Sequence, residues 1–271
     1  MNDIGTVDEI GGDEDRRVTN DELSLALVDE SPALLRYALS LVGDRSKAED
    51  LVSDTIVKAL EKSGEFKGQS SIRTWLHRIL HNLAVDAGRH GTHELTVAEV
   101  EQYWRDDTYS VDAAEVAEKA ADIEELREAL LHVAYQYRAV LVLHDAERWS
   151  MREVAALLDI SLPAAKQRLR RGRMMLVSAL ARSGEGRSAK NATALTCWEA
   201  RSRVSDYIDG ELAIKERESL EEHMKSCSTC PPLYGALVGV TDSLGTLHDP
   251  DSVIPPKLAD RIREHLGERR T

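Results

Sequence analysis

Residues 148–180 read RWSMREVAALLDISLPAAKQRLRRGRMMLVSAL, and this stretch decides the fold class. Ser150 stands where a helix N-cap residue is preferred, and Val154, Ala155, Leu157 and Leu158 are spaced to face inward over the turns that follow. Ile160 falls in a short break, after which Ser161 and Pro163 occupy the cap and early-helix positions that those residues favour. The second helix carries Lys166, Arg168, Arg170, Arg171 and Arg173, and no acid occurs between Asp159 and Glu185. A short helix, a tight turn and a longer basic helix make a helix-turn-helix, whose second helix can neutralise phosphates and reach base edges in a major groove.

Working outward, the same helical periodicity runs through IEELREALLHVAYQYRAVLVLHDAE (123–147) and again from Leu34 to Arg89. With 42% hydrophobic residues but only 4% aromatics and a single Phe, the composition is that of small helical units, and the expected class is all-α. In the earlier block, GDRSKAED predicts a turn and a helix start at Ser46 with Glu49 three residues on, a capping-box pattern. The next helix places Ala48, Leu51, Val52, Thr55, Ile56, Ala59 and Leu60 on one stripe. A longer helix over about Ile72–Arg89 has the stripe Ile72, Trp75, Leu76, Ile79, Leu80 and Leu83, leaving Arg73, His77, Arg78, His81, Asn82 and Arg89 to face outward.

The formal charge of -13 is unevenly spread. Residues 1–30 carry ten acids and two bases and 92–121 carry eight and two, whereas 31–91 and 122–182 are each net +2. Two mildly basic blocks separated by acidic stretches can still offer local cationic faces to phosphate. The expected organisation is a disordered acidic tail (1–30), a first helical domain (31–91), an acidic linker (92–121), the helix-turn-helix domain (122–182), a Gly/Ser/Ala-rich linker (183–196) and a small domain over 197–241. Residues 242–271 are expected to form a linker and a short amphipathic helix with Leu258, Ile262 and Leu266 on one edge. No stretch approaches 18 uninterrupted apolar residues and the first thirty are polar, so neither a membrane span nor a signal peptide is expected, and the default compartment is the cytoplasm.

All three cysteines lie after residue 196, an odd number that argues against a disulfide framework. His223, Cys227 and Cys230 form H-x3-C-x2-C, and Cys197 lies 26 residues before His223 at the start of a helical pattern. Three thiolates and one imidazole suit tetrahedral Zn2+, with a redox pair as the other reading of the C-x2-C. His77 and His81 are one turn apart without an acid between them in H-E-x-x-H form, so no metal role is expected there. Walker loops, G-x-S-x-G elbows and dinucleotide fingerprints are absent, and no enzymatic activity is indicated.

FKGQSSIRTWLHRILHN (66–82) resembles the promoter-melting segment of bacterial RNA polymerase sigma factors of the extracytoplasmic-function (ECF) type, through Phe66, Lys67, Gly68, Ser70, Thr74, Trp75, Leu76, Arg78, Ile79 and Asn82. Upstream, Asp44, Ala48, Glu49, Asp50, Leu51, Thr55 and Ala59 match the family helix that docks on core polymerase, with Ser53 in place of a usual Gln. The resemblance covers 31–182 and implies binding, not catalysis. Glu49, Asp50, Leu51, Asp54 and Thr55 would contact core RNA polymerase. Lys67, Gly68, Ser70, Ser71, Arg73, Trp75, Arg78 and Asn82 would meet the minus-ten element, and Leu162, Ala164, Ala165, Lys166, Arg168, Arg170, Arg171 and Arg173 the minus-thirty-five promoter DNA. Residues 197–230, including YIDGEL (207–212), are similar to zinc-binding anti-sigma domains, and residues 197–271 are expected to fold back on the two sigma domains and tune their access to polymerase or promoter. The alternative is a stand-alone helix-turn-helix regulator with a zinc or redox sensor.

Overall fold

The structure is a computed structural model that describes residues 20–66, 68–87, 95–181 and 195–247. Lys67, Arg89, residues 1–19 of the expected tail, most of the expected linker 183–196 and the terminal segment with Leu258, Ile262 and Leu266 lie outside the described residues. Twelve α-helices and no strand make up the described chain, as the sequence predicts. The first bundle is α1 (Asn20–Val42), α2 (Arg45–Glu61) and α3 (Ile72–Asp86). Every residue of the predicted α2 stripe is buried, so period and fold agree there.

Three expectations need correction in this region. α1 begins at Asn20 and buries Leu23 and Leu27, so residues 20–30 belong to the bundle and not to an acidic tail. Of the acids in this stretch, Glu22 and Asp29 are exposed on α1. The cap of α2 is Asp44, whose carboxylate accepts the Lys47 N–H at 2.9 Å, and not Ser46, which lies inside the first turn. His77 points inward and is fully buried between Tyr37 and Trp149, with ring centroids 5.7 and 4.9 Å away. Burial holds its pKa down, at about 4, so the ring sits in the core as the neutral, less costly form.

The segment 92–121, expected as linker, contains α4 (Val97–Arg105) and α5 (Ala113–Ala121). A Thr96/Glu99 capping box starts α4 and the Asp112 carboxylate starts α5. Their narrow apolar edges, Val100 with Trp104 and Val116 with Ala120, are too short to stand alone and are covered only by other parts of the chain. Trp104 is fully buried and its Nε1–H donates to Ser178 at 3.0 Å.

The second bundle comprises α6 (Ile123–His132), α7 (Tyr135–Leu141) continuing through a π-helical turn at Val142–Ala146, α8 (Met151–Leu157) and α9 (Leu162–Leu180). α8 and α9 are the helix-turn-helix: Ser150 and Glu153 form a capping box, and Ser161 accepts the Ala164 N–H at 3.3 Å. The two bundles share one continuous core. Buried Arg138 ties them by donating to Leu41 O (2.6 Å), Val133 O (3.0 Å) and Leu131 O (3.1 Å).

The C-terminal module is α10 (Cys197–Ile208), α11 (Ile214–Ser226) and α12 (Cys230–Thr246). α12 lies along α5 and also touches α9 and the π turn. Gly239 meets Ala117 so closely that a Cβ added to it would come 3.2 Å from the alanine methyl, while Gly235 faces Ala113. Small residues on both helices thus let the two backbones approach. The module is folded onto the rest of the chain.

Candidate nucleic-acid interface and metal centre

The basic face of α9 is covered. Arg173 is 1% exposed and bidentate to two carboxylates at once: Asp145 at 2.7 and 3.0 Å and Asp209 at 2.7 and 3.0 Å. Asp145 comes from the π turn of its own bundle and Asp209 from the YIDGEL turn of the C-terminal module. Gly210 in that turn has φ +72, the left-handed conformation a side chain disfavours, and it sets Asp209 and Glu211 on either side of the bend. Glu211 takes Lys166 at 2.5 Å. Arg170 reaches Ser202 O at 3.5 Å and Arg171 pairs with Glu101 of α4 at 2.9 Å. An open cleft between α9 and α10 is lined by Pro163, Ala164, Lys166, Gln167, Arg170 and Asp206.

Two of the residues expected at the minus-thirty-five element are therefore not available in this arrangement. Ala165 is fully buried, on the inward stripe with Leu169, and Arg173 is consumed by the buried ion pairs. Leu162, Ala164 and Arg168 are half-buried. His144 joins the same cluster, 3.6 Å from Asp209 and 4.0 Å from Asp145. Burial alone would lower its pKa, but the hydrogen bond to Asp209 and the charge of Asp145 outweigh it and raise the pKa above the ordinary value. Burial likewise works against the Asp209 carboxylate, and His144 and Arg173 bring its pKa below normal.

The corresponding face of α3 meets α8. Arg73 lies 4.6 Å over the Trp149 ring, donates to Glu147 O at 3.3 Å and pairs with Glu30 at 3.7 Å. Arg78 donates to Ala156 O at 2.7 Å and Leu157 O at 3.4 Å, occupying carbonyls at the end of α8. Trp75 is half-buried against Phe66 at 5.1 Å; Ser71 caps α3 by accepting the Thr74 N–H at 3.1 Å. Gly68 and Asn82 are exposed and Ser70 half-buried. On α2, Asp50 and Asp54 are exposed and Glu49 pairs with Arg45 at 3.1 Å. Leu51 and Thr55 face the core instead, Thr55 donating to Leu51 O at 2.7 Å, so they hold the helix and do not present a surface.

The four residues predicted to hold a metal converge. Their ligand atoms all lie within 4.8 Å of one another, with Cys197 Sγ 3.7 Å from Cys227 Sγ and His223 Nε2 3.3 Å from Cys230 Sγ. Metal–sulfur bonds of about 2.3 Å at tetrahedral angles would set sulfurs about 3.7 Å apart, so the donor set fits. A Thr196/Glu199 capping box places Cys197 on the first turn of α10, and α11 ends one turn after His223. The cysteines are free and not disulfide-bonded. Burial raises the Cys227 thiol, but hydrogen bonds from Thr229 and the Cys230 backbone more than offset it and bring the pKa to about 6.

The Sigma-70 region 2 family matches residues 27–93, the Sigma-70 region 4 family matches 123–176 and a zinc-finger family matches 197–230. RNA polymerase sigma factor YlaC of Bacillus subtilis is 31% identical over 153 residues, which cover 56% of this chain and 88% of YlaC. The chain belongs to the ECF sigma factors. ECF RNA polymerase sigma factor SigG of Mycobacterium tuberculosis is 30% identical over 196 residues, covering 65% of this chain and 52% of SigG. A solved structure of the sigma factor RpoE in complex with the anti-sigma factor NepR from Bartonella quintana aligns with 25% identity and a TM-score of 0.45 over 59% of this chain and 97% of that chain. As a sigma factor the chain is a transcription-initiation factor that binds core RNA polymerase and promoter DNA, and it is not an enzyme. A region 2 match beside region 4 disfavours the stand-alone regulator. No helix of the described residues is long and apolar enough to cross a membrane.

Sequence reasoning missed the partners of the basic helix, namely Glu101, Asp145, Asp209 and Glu211, and it missed Arg201 and Thr229 beside the Cys/His cluster. One signal was present: Cys197 and Arg201 are four apart, hence on one helical face.

Proposed function

We propose that this sigma factor is held closed by its own C-terminal module, and that the closed state withholds both promoter-binding faces. The observation that carries this reading is the Arg173 guanidinium, shared between Asp145 of the helix-turn-helix bundle and Asp209 of the module. Acids on the module stand where phosphates would otherwise neutralise the cations of α9, and α8 stands against Arg73 and Arg78 of α3. In the open state Leu162, Ala164, Lys166, Arg168, Arg170, Arg171 and Arg173 would face minus-thirty-five duplex. Gly68, Ser70, Ser71, Arg73, Trp75, Arg78 and Asn82, with Lys67 beside them, would face the minus-ten element. Glu49, Asp50 and Asp54 are the side chains of α2 placed to contact core polymerase. Cys197, His223, Cys227 and Cys230 would hold Zn2+ in a structural role, supplying the small module with folding free energy its own core lacks.

Run-off transcription with core polymerase tests the reading. A chain ending at Ala192 is expected to initiate more strongly than the full-length chain at equal, limiting concentration. Equal or weaker initiation by a shortened chain that still binds core polymerase would overturn it.

A further inference from the structure

Arg201 follows Cys197 by one turn on α10 and is 2% exposed. Guanidinium does not lose its proton in proteins, so a full positive charge is buried here. Its terminal nitrogens donate to Trp104 O (2.8 Å), Asp106 O (2.7 Å), Tyr109 O (2.8 Å) and the Thr229 hydroxyl (3.2 Å). All four acceptors are uncharged, and among the described residues no carboxylate is ion-paired with this arginine. Burying an unmatched charge is costly, so a counter-charge belongs nearby. The nearest buried chemistry is the metal site: the Thr229 hydroxyl that accepts from Arg201 lies 3.4 Å from Cys227 Sγ. Three thiolates, one neutral imidazole and a divalent cation together carry a charge of about -1.

We propose that Arg201 is the counter-ion of the metal-loaded centre, and that it couples metal occupancy to the grip of the C-terminal module on residues 104–110. Thr229 reinforces the coupling from inside the ligand loop. It lies between Cys227 and Cys230, donates from its hydroxyl to Asp107 O at 3.0 Å and accepts the Ser110 hydroxyl at its carbonyl at 3.3 Å. The gripped segment leaves α4, whose Glu101 pairs with Arg171 of α9, and enters α5, which packs on α12. Arg105 of α4 adds a contact 4.2 Å over the Trp198 ring. With the metal removed, Arg201 keeps only neutral acceptors, and the clasp on 104–110 weakens together with the cover on α9. The metal then acts as a conformational latch as well as a staple for the module.

This inference rests on the metal reading above. The test uses the full-length chain, with Zn2+ affinity measured by competition against a chromophoric chelator and hydrogen exchange followed over 104–110 with the metal bound and stripped. Arg201→Gln is expected to weaken Zn2+ binding by about 10- to 100-fold, the size typical of groups that support metal ligands, and Arg201→Lys by less, because it keeps the charge. Stripping the unmodified chain should raise exchange across 104–110 at least tenfold while α2 stays protected. Wild-type-like Zn2+ affinity in Arg201→Gln, or unchanged protection of 104–110 after stripping, would overturn the proposal. The stripping arm needs no substitution and so decides the matter even where Arg201→Gln misfolds. A purified chain that takes up no Zn2+ overturns the metal reading and this inference together. An unregulated full-length chain in run-off transcription, with Arg201→Gln still weakened for Zn2+, overturns closure alone.

Discussion

Asp209→Asn removes the one carboxylate by which the C-terminal module reaches the buried guanidinium of Arg173. The expected size follows from the surroundings. Orphaning a buried charge costs about 3–5 kcal/mol, but Arg173 keeps both bonds to Asp145, so that full penalty does not apply. What is lost is one charged partner making two short bonds, of which asparagine can replace one as a neutral acceptor. A loss of about 2 kcal/mol of docking free energy results, within the range for hydrogen bonds to charged groups. That corresponds to about 30-fold in the closed-to-open equilibrium. The assay is run-off transcription at limiting sigma factor, with the Zn2+ content of each variant measured alongside. Asp209→Asn should initiate severalfold to about 30-fold more strongly than the parent chain, with 30-fold as the ceiling reached only if closure dominates. Glu211→Gln is the internal comparison: its ion pair with Lys166 is more than a third exposed on both sides, so its loss should cost well under about 1 kcal/mol and change initiation about twofold at most. Asp209→Asn with full metal content and unchanged initiation, or Glu211→Gln with the larger effect, would refute the reasoning.

Three further outcomes are expected. His144 has a pKa raised above the ordinary value in the closed state, facing Asp145, Asp209 and Arg173, so its contribution to closure is complete below about pH 6.5 and fades as pH rises through the raised value. Initiation by the parent chain should accordingly climb with pH above about 6.5 more steeply than that of His144→Gln, and parallel profiles would exclude the role. Gly239→Leu forces a side chain against Ala117, where even a Cβ would stand 3.2 Å from the methyl, and should weaken docking of α12 on α5 by about 1–3 kcal/mol, read as faster hydrogen exchange in α5. Cys227→Ser should abolish stoichiometric Zn2+ binding and loosen α10 and α11 in the same exchange experiment while leaving α2 protected, because the module's own core is thin.

Much of this molecule was legible in its residues, and the illegible part has a common cause. The stripe on α2 and the α8–α9 turn depend on local periodicity and capping, which are written within a dozen residues. The convergence of Cys197, His223, Cys227 and Cys230 was legible because the chemistry of thiolates and imidazole restricts what else such a set could be. By contrast, α4 and α5 read as acidic linker because their apolar edges are two residues each and are completed by α6, α9, α10 and α12, elements that follow later in the chain. Arg173 read as a phosphate contact because a basic helix offers the same side chain to DNA or to Asp145 and Asp209. Only the tertiary fold says which acid is near. His77 misled for a related reason: its position between Tyr37 and Trp149 joins three elements far apart in sequence. Arg201 was signalled weakly by its spacing from Cys197, but its carbonyl partners lie more than ninety residues away.

Hydrogen exchange on the full-length, Zn2+-loaded chain, free and bound to core RNA polymerase, bears most directly on whether closure and polymerase engagement compete. Closure predicts that polymerase binding strips protection from 104–110, α5 and α12 while α2 gains it. A polymerase-bound chain in which α2 gains protection and the 104–110 clasp keeps all of its own would contradict the account.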